Sequence, residues 1–234
     1  MMLIYYIYFF LIAAPLMLLA TLLTCLTASI GCALFSSRWW GYYPMILWGK
    51  VMCWLTLVRV KTIHKGNVKD SQSYVFVANH QGAFDIFAIY GFLGHNFRWM
   101  MKESLKKIPV VGWACKNSGQ VFVARGSVHG IAKTMQEAQK RLQGGLSLVV
   151  FPEGARSVNG KVANFKRGAF SLATEFNLPV VPVTIDGAFS VMPRTAKLPR
   201  PGHITVTVHD PIEANDPNLI EKSRQVIISA LKDK

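Results

Sequence analysis

The first 37 residues contain no charged side chain; Arg38 is the first, Lys50 the second and Arg59 the third. About 20 apolar residues suffice to cross a bilayer as a helix, so this stretch predicts a membrane-embedded helical segment. It is too long for a signal-peptide core of about 7–15 residues and has no positive region ahead of it, so it is expected to be retained. Tyr5, Tyr6, Tyr8, Phe9 and Phe10 precede its middle, and Trp39, Trp40, Tyr42 and Tyr43 follow it. Rings of this kind suit the two membrane–water interfaces. A straight helix from Leu11 to Arg38 would be about 42 Å long, against a hydrocarbon core of about 30 Å. Tilt, a kink near Pro15 or partial immersion is therefore required. The segment from Met45 to Val58 is short and holds Trp48, Lys50 and Trp54, which reads as interfacial rather than spanning. The competing reading is a buried helical hairpin of a soluble protein. Residues 1–58 are expected to form membrane-anchoring helices, and residues 59–234 a separate body.

That body is basic. Of 26 Lys and Arg residues, all but Arg38 and Lys50 lie at Arg59 or later, and so do all 12 acidic residues, which leaves a net charge of +12 there. By the positive-inside rule the body belongs on the cytoplasmic face. A basic surface behind an apolar leader suits anionic membrane lipid or a phosphorylated substrate. Nucleic-acid binding rests on charge alone and is not expected. Cys25, Cys32, Cys53 and Cys115 form no CxxC pair and no Cys/His group with zinc spacing, so they read as buried small hydrophobes in a reducing compartment, and no metal is expected.

Beyond residue 60, strand-like and helix-like patterns alternate. Strands are expected at Tyr74–Ala78, Arg98–Met101, Val121–Ala124, Leu146–Phe151, Val180–Ile185 and His203–His209, from short runs of β-formers or strict alternation. Helices are expected at Asp85–Phe92, Ser127–Gln143 (with Ser127 as N-cap and Gly144-Gly145 as the stop), Arg167–Phe176 and Asn218–Leu231, with a basic helical turn at Lys102–Lys107. This order predicts an α/β body with a mixed, largely parallel sheet flanked by helices.

Two stretches carry chemistry. Asn79-His80-Gln81-Gly82-Ala83-Phe84-Asp85 sits where a buried strand gives way to a helix, the place where open α/β folds bind ligands. A tight turn through Gly82 could bring Asp85 onto the His80 ring, fix its tautomer and leave the other nitrogen as a base. The same spacing also describes a helix N-cap aspartate beside a surface histidine. Phe151-Pro-Glu-Gly-Ala-Arg-Ser157 also follows a strand. Gly154 permits close backbone approach, Arg156 can grip a phosphate with two hydrogen bonds, and Glu153 could orient Arg156 or bind a hydroxyl. A surface turn with a solvated ion pair is the alternative. Lys102, Lys106, Lys107, Arg125, Lys166 and Arg167 gather near strand ends, with Lys106, Lys107 and Arg167 read as a solvated face. No G-x-S-x-G, P-loop, G-x-G-x-x-G or H-E-x-x-H pattern is present, so a serine elbow, a nucleotide cofactor and a catalytic zinc are not indicated.

Taken in order, these blocks resemble the glycerolipid acyltransferases, specifically the 1-acylglycerol-3-phosphate acyltransferases. The family's N-H-x4-D block corresponds to Asn79, His80 and Asp85, and its F-P-E-G-T-R-S block to Phe151–Ser157. A second region corresponds to Lys102–Gly112 with Val121-Phe-Val-Ala-Arg125-Gly, and a V-P-V strand to Val181–Val183. Ala155 stands where the family usually has Thr. The resemblance implies transfer of a fatty acyl group from acyl-CoA or acyl carrier protein to the 2-hydroxyl of lysophosphatidic acid, forming phosphatidic acid without a further cofactor. It implies His80 as base and Asp85 as its holder. It implies Asn79, Lys102, Arg125, Glu153, Gly154 and Arg156 as substrate-binding residues, with Lys102, Arg125 and Arg156 on the phosphate. A bacterial inner membrane is the expected location. Glycerol-3-phosphate, a lysophospholipid or an acylated amino acid are alternative acceptors, and a non-catalytic lipid-binding scaffold is the alternative of another class.

Overall fold

The computed structural model describes residues 2–64, 66–123, 128–142 and 145–232, with the side chains of 128–133 and 141 left aside. It opens with one apolar helix, Met2–Leu34. Pro15 has no N–H to give to the carbonyl four residues back, and the turn just before it is widened into a π-helix at Phe9–Ala13, where the Ala14 N–H reaches Phe9 O. The chain then reverses. Gly31 faces the Trp40 indole so closely that a Cβ would run into the ring. A second helix, Tyr43–Leu55, returns along the first. Tyr8 Oη donates to Leu55 O at 3.0 Å and Trp48 Nε1 to Thr21 Oγ1 at 3.0 Å. This hairpin lies on the body. Gly49 meets Gly91, and a Cβ on Gly49 would fall 2.6 Å from the Phe87 carbonyl oxygen.

Seven strands form one sheet: β1 Val58–His64, β2 Val75–Ala78, β3 Phe97–Lys102, β4 Val121–Val123, β5 Ser147–Val150, β6 Val180–Asp186 and β7 Gly202–Val208. Their order is β1-β7-β6-β2-β5-β3-β4, and every pairing is parallel except β6 with β7. The expected mixed, largely parallel sheet is present. β1 was not anticipated. It is an edge strand whose Arg59 and Lys61 break the apolar run, and it pairs with β7 from Val58↔Gly202 to His64↔Val208.

β2 shows how the sheet separates two cores. Its four residues are buried on both faces. Tyr74, Phe76 and Ala78 join the layer that includes Phe84, Ala88, Ile89 and Phe97. Val75 and Val77 join the opposite layer, with Phe170, Leu172 and Ile227. That alternation is the period-two geometry of a strand, and helices cover both faces, as parallel sheets require. The helices Phe84–Phe92, Val128–Arg141, Gly168–Glu175 and Leu219–Ser229 match expectation within a few residues. Ser127 lies outside the described residues. A short helix at Val111–Asn117 was not foreseen.

Candidate active site

β2 and β5 are parallel neighbours, so the turns that follow them leave the sheet at the same edge. The first carries His80 and the second Phe151 to Arg156. His80 Nδ1 lies 2.7 Å from Asp85 Oδ2. That oxygen also accepts the Gln81 N–H at 2.6 Å and the Gly82 N–H at 2.9 Å. Two peptide donors make Oδ2 an acceptor, so Nδ1 must carry the third hydrogen and Nε2 the lone pair. Asp85 is fully buried, and its Oδ1 has no hydrogen-bond partner among the described residues. Burial pushes the Asp85 carboxyl up from its ordinary value, opposed by the hydrogen bonds from His80, Gly82 and Gln81. The turn needs glycine at 82: a Cβ there would sit 2.6 Å from Ala188 O and 2.7 Å from Met192 O.

The FPEGARS turn braces the dyad. Glu153 Oε1 accepts the backbone N–H of His80 at 2.7 Å, and Oε2 accepts that of Ala163 at 2.8 Å. The Ser157 N–H returns to His80 O at 2.7 Å. Glu153 is buried, and burial pushes its carboxyl up against those two donors. In this structure Glu153 holds two main chains together, a role beyond the expected orienting of Arg156 or binding of a hydroxyl. Asn79 is also held by main chain. It is fully buried, with Nδ2 donating to Ile185 O and Oδ1 accepting from Ile185 N, both at 2.8 Å. Its side chain ties β2 to β6.

Lys102 and Gly154 belong to a cavity of about 950 Å³ with a mainly apolar lining, and Arg156 is not among its lining residues. His80 lines it, with Lys102 at the end of β3 and Gly154, and helix residues Thr24, Trp48 and Cys115 line its walls. Gly154 adopts φ +76°, the left-handed region that favours glycine. Arg156 is half-buried and has no hydrogen-bond or ion-pair partner among the described residues. Arg125 lies outside the described residues. Cys25 and Cys115 line this cavity as free thiols. Among the described residues, no three His, Cys, Asp or Glu side chains converge as metal ligands would.

Two site residues had no role assigned from sequence. Phe151 stacks flat on His80, with ring centroids 3.9 Å apart and planes 6° apart, and Trp99 backs it at 5.1 Å. Lys166 lines the cavity, and its Nζ would lie 2.7 Å from a Cβ on Gly154. Phe151 stood inside the recognised block and Lys166 in the basic cluster, but only tertiary packing reveals what each touches.

Comparison with known proteins places the chain in a family and a fold. The acyltransferase family model matches residues 59–186. A Chlamydomonas reinhardtii 1-acyl-sn-glycerol-3-phosphate acyltransferase is 37% identical over 161 residues, 67% of this chain and 48% of that protein. The Saccharomyces cerevisiae 1-acyl-sn-glycerol-3-phosphate acyltransferase is 27% identical, covering 88% of this chain and 71% of its own. The chain spans about half the length of the algal relative and less than half of the chloroplast relatives it matches. The crystal structure of the 1-acyl-sn-glycerophosphate acyltransferase PlsC from Thermotoga maritima superposes with a TM-score of 0.78 at 25% identity, covering 99% of this chain and 98% of that one. With the family model matching more than half of its length, and the His80–Asp85 pair inside the matched region, this chain belongs to the acyltransferase family.

Proposed function

We propose that this chain transfers a fatty acyl group from an acyl thioester to the 2-hydroxyl of lysophosphatidic acid, giving phosphatidic acid at a membrane surface. The observation that carries the reading is a His–Asp dyad open to a large apolar cavity. The names of the sequence relatives and of the structural neighbour support the acceptor.

His80 Nε2 takes the proton of the acceptor hydroxyl as its oxygen attacks the thioester carbonyl, and Asp85 stabilises the imidazolium that forms. The tetrahedral intermediate then collapses. The C–S bond breaks, and His80 returns the proton to the departing thiolate, so no acyl-enzyme is needed. The acyl chain occupies the apolar cavity. Arg156 and Lys102 hold the acceptor phosphate, an arrangement suited to a guanidinium with no internal partner. Acyl-CoA and acyl carrier protein both fit this chemistry as donors.

The membrane reading follows from the hairpin. Met2–Leu34 is 33 residues long, about 50 Å as a helix. Its outer face exposes Leu3, Ile7, Phe10, Leu18 and Leu22, while Thr24 and Cys25 turn inward to the cavity. A helix laid along the catalytic body in this way suits immersion in one leaflet, with the body on the cytoplasmic side. Both lipid substrates then enter from the layer in which they dissolve.

The test uses detergent-purified protein with a labelled long-chain acyl-CoA, and separately acyl carrier protein loaded with the same chain. Lysophosphatidic acid, glycerol-3-phosphate and lysophosphatidylcholine are offered in parallel. Label entering phosphatidic acid, and absent with His80→Ala, supports the reading. Transfer only to another acceptor changes the substrate. No transfer from either donor leaves a lipid-binding scaffold.

A further inference from the structure

From Gly187 to His209 the chain has no acidic residue, and its loop from Pro193 to Pro201 reads Pro-Arg-Thr-Ala-Lys-Leu-Pro-Arg-Pro. Arg194, Lys197 and Arg200 are all exposed. None of the three is paired with an acid among the described residues. Between these charges Leu198 turns inward and packs against the cluster of Tyr5, Phe9, Ala13 and Leu55, where the two apolar helices meet. The loop therefore sets three unneutralised cations beside the apolar hairpin.

The loop is also fastened to the catalytic turn. Pro193 bridges Gly82, and the Ala83 N–H donates to Met192 O at 3.2 Å. Inside the loop, Ala196 N–H reaches Pro193 O at 3.1 Å and Arg200 N–H reaches Val191 O at 2.9 Å. Gly82 is in turn one of the donors to Asp85 Oδ2. One short segment thus touches both the helices that enter lipid and the turn that holds the dyad.

We propose that Arg194, Lys197 and Arg200 form a docking surface for anionic phospholipid headgroups, which sets the height and orientation of the active-site mouth at the bilayer. This rests on the membrane reading of the hairpin given above. Charge complementarity and continuity with the apolar helices favour a lipid surface over an acidic protein. Leu198 anchors the loop to the hairpin, which holds the charges at the depth where headgroups lie.

The experiment is a competition between two vesicle populations carrying different dyes, one of phosphatidylcholine and one with about a third phosphatidylglycerol. Full-length protein diluted from detergent is offered to both together and recovered by flotation. Sorting is compared for wild type, Arg194→Gln/Lys197→Gln/Arg200→Gln, and a charge-matched control, Lys140→Gln/Lys222→Gln/Lys232→Gln. Wild type and control should favour the anionic vesicles, and the loop variant should lose up to about 100-fold of that preference, at roughly 1 kcal/mol for each basic side chain at an anionic surface. Equal preference in the loop variant and the control overturns the proposal. Unchanged sorting with lost binding to acyl carrier protein reassigns the surface to an acidic protein. Protein that enters neither vesicle population refutes the membrane reading itself. The readout needs no turnover, so it is independent of the acyl-transfer assay.

Discussion

His80 Nδ1 lies 2.7 Å from Asp85 Oδ2, and the same oxygen accepts the peptide hydrogens of Gln81 and Gly82. The aspartate thus fixes the imidazole tautomer and, at the same time, closes the turn that carries the imidazole. His80→Ala should lower kcat by about 10²–10⁴, the range for loss of a positioned base, with acceptor KM nearly unchanged. Asp85→Ala should do the same and also loosen the turn. Steady-state kinetics on folded variants checks both; a His80→Ala enzyme that keeps wild-type kcat removes the base assignment.

The buried carboxylate has a consequence for stability. Burial holds the folded Asp85 carboxyl above its ordinary value. Between the unfolded value, about 3.9, and the raised folded value, the folded chain binds more protons than the unfolded one. Stability contributed by Asp85 is therefore full below the unfolded value and falls as pH rises through this window. Asp85→Asn has no such proton. Its Tm relative to wild type should climb as pH is taken upward from about 4, while its activity stays lost. Glu153 shifts in the same direction but is common to both proteins and cancels. Thermal scans of the pair at several pH values decide the matter; a difference that narrows with rising pH contradicts it.

Arg156 is half-buried without a partner among the described residues. A cation so placed near the Glu153 brace suits an anion brought by substrate. Arg156→Ala should raise the KM for lysophosphatidic acid by about 10–100-fold, the worth of a charge-assisted contact of about 1.5–3 kcal/mol, and change kcat little. A loss confined to kcat would show that Arg156 does not clamp the phosphate.

How far the sequence revealed this site depends on what each residue touches. His80 and Asp85 stand five positions apart in one turn, a spacing that left a dyad and an N-cap aspartate both open until the family resemblance chose the dyad. The sheet was legible because buried strands such as Val75–Ala78 announce themselves as apolar runs. β1 was not, because an edge strand carrying Arg59 and Lys61 reads like a linker and gains its identity only from pairing with β7. Asn79 and Glu153 were expected at the substrate because the family resemblance implied it. The main-chain partners they have in the structure include Ile185 and Ala163, 106 and 10 residues away, on segments whose placement local pattern does not encode.

The Gly154 position combines two constraints. Its φ of +76° disfavours any Cβ, at about 1–2 kcal/mol, and that Cβ would also press on Lys166 Nζ at 2.7 Å. Gly154→Ala should therefore fold with a modestly lower Tm and lose activity beyond what stability explains, because both Lys166 and the cavity mouth must shift. Pairing it with Lys166→Ala separates the causes: recovery of activity in the double variant identifies the clash, and no recovery identifies the backbone.

Phe151 is the last test, and it concerns a ring that makes no hydrogen bond to the dyad. It lies 3.9 Å from the His80 ring at an angle of 6°, backed by Trp99. A flat aromatic support restricts rotation of the imidazole, worth about 0.5–1.5 kcal/mol. Under the proposed mechanism its face also favours the imidazolium formed as the proton is taken, by about 0.5–2 kcal/mol. Together, about 1–3.5 kcal/mol, these place Phe151→Leu about 5- to 400-fold below wild type in kcat, at 1.36 kcal/mol per tenfold. Phe151→Tyr, which keeps the ring, should stay within about twofold. The contrast between the two variants carries the argument, since leucine and tyrosine both fill the apolar site but only tyrosine presents a π face. Equal kcat values for the two would mean that Phe151 serves the core and not the base.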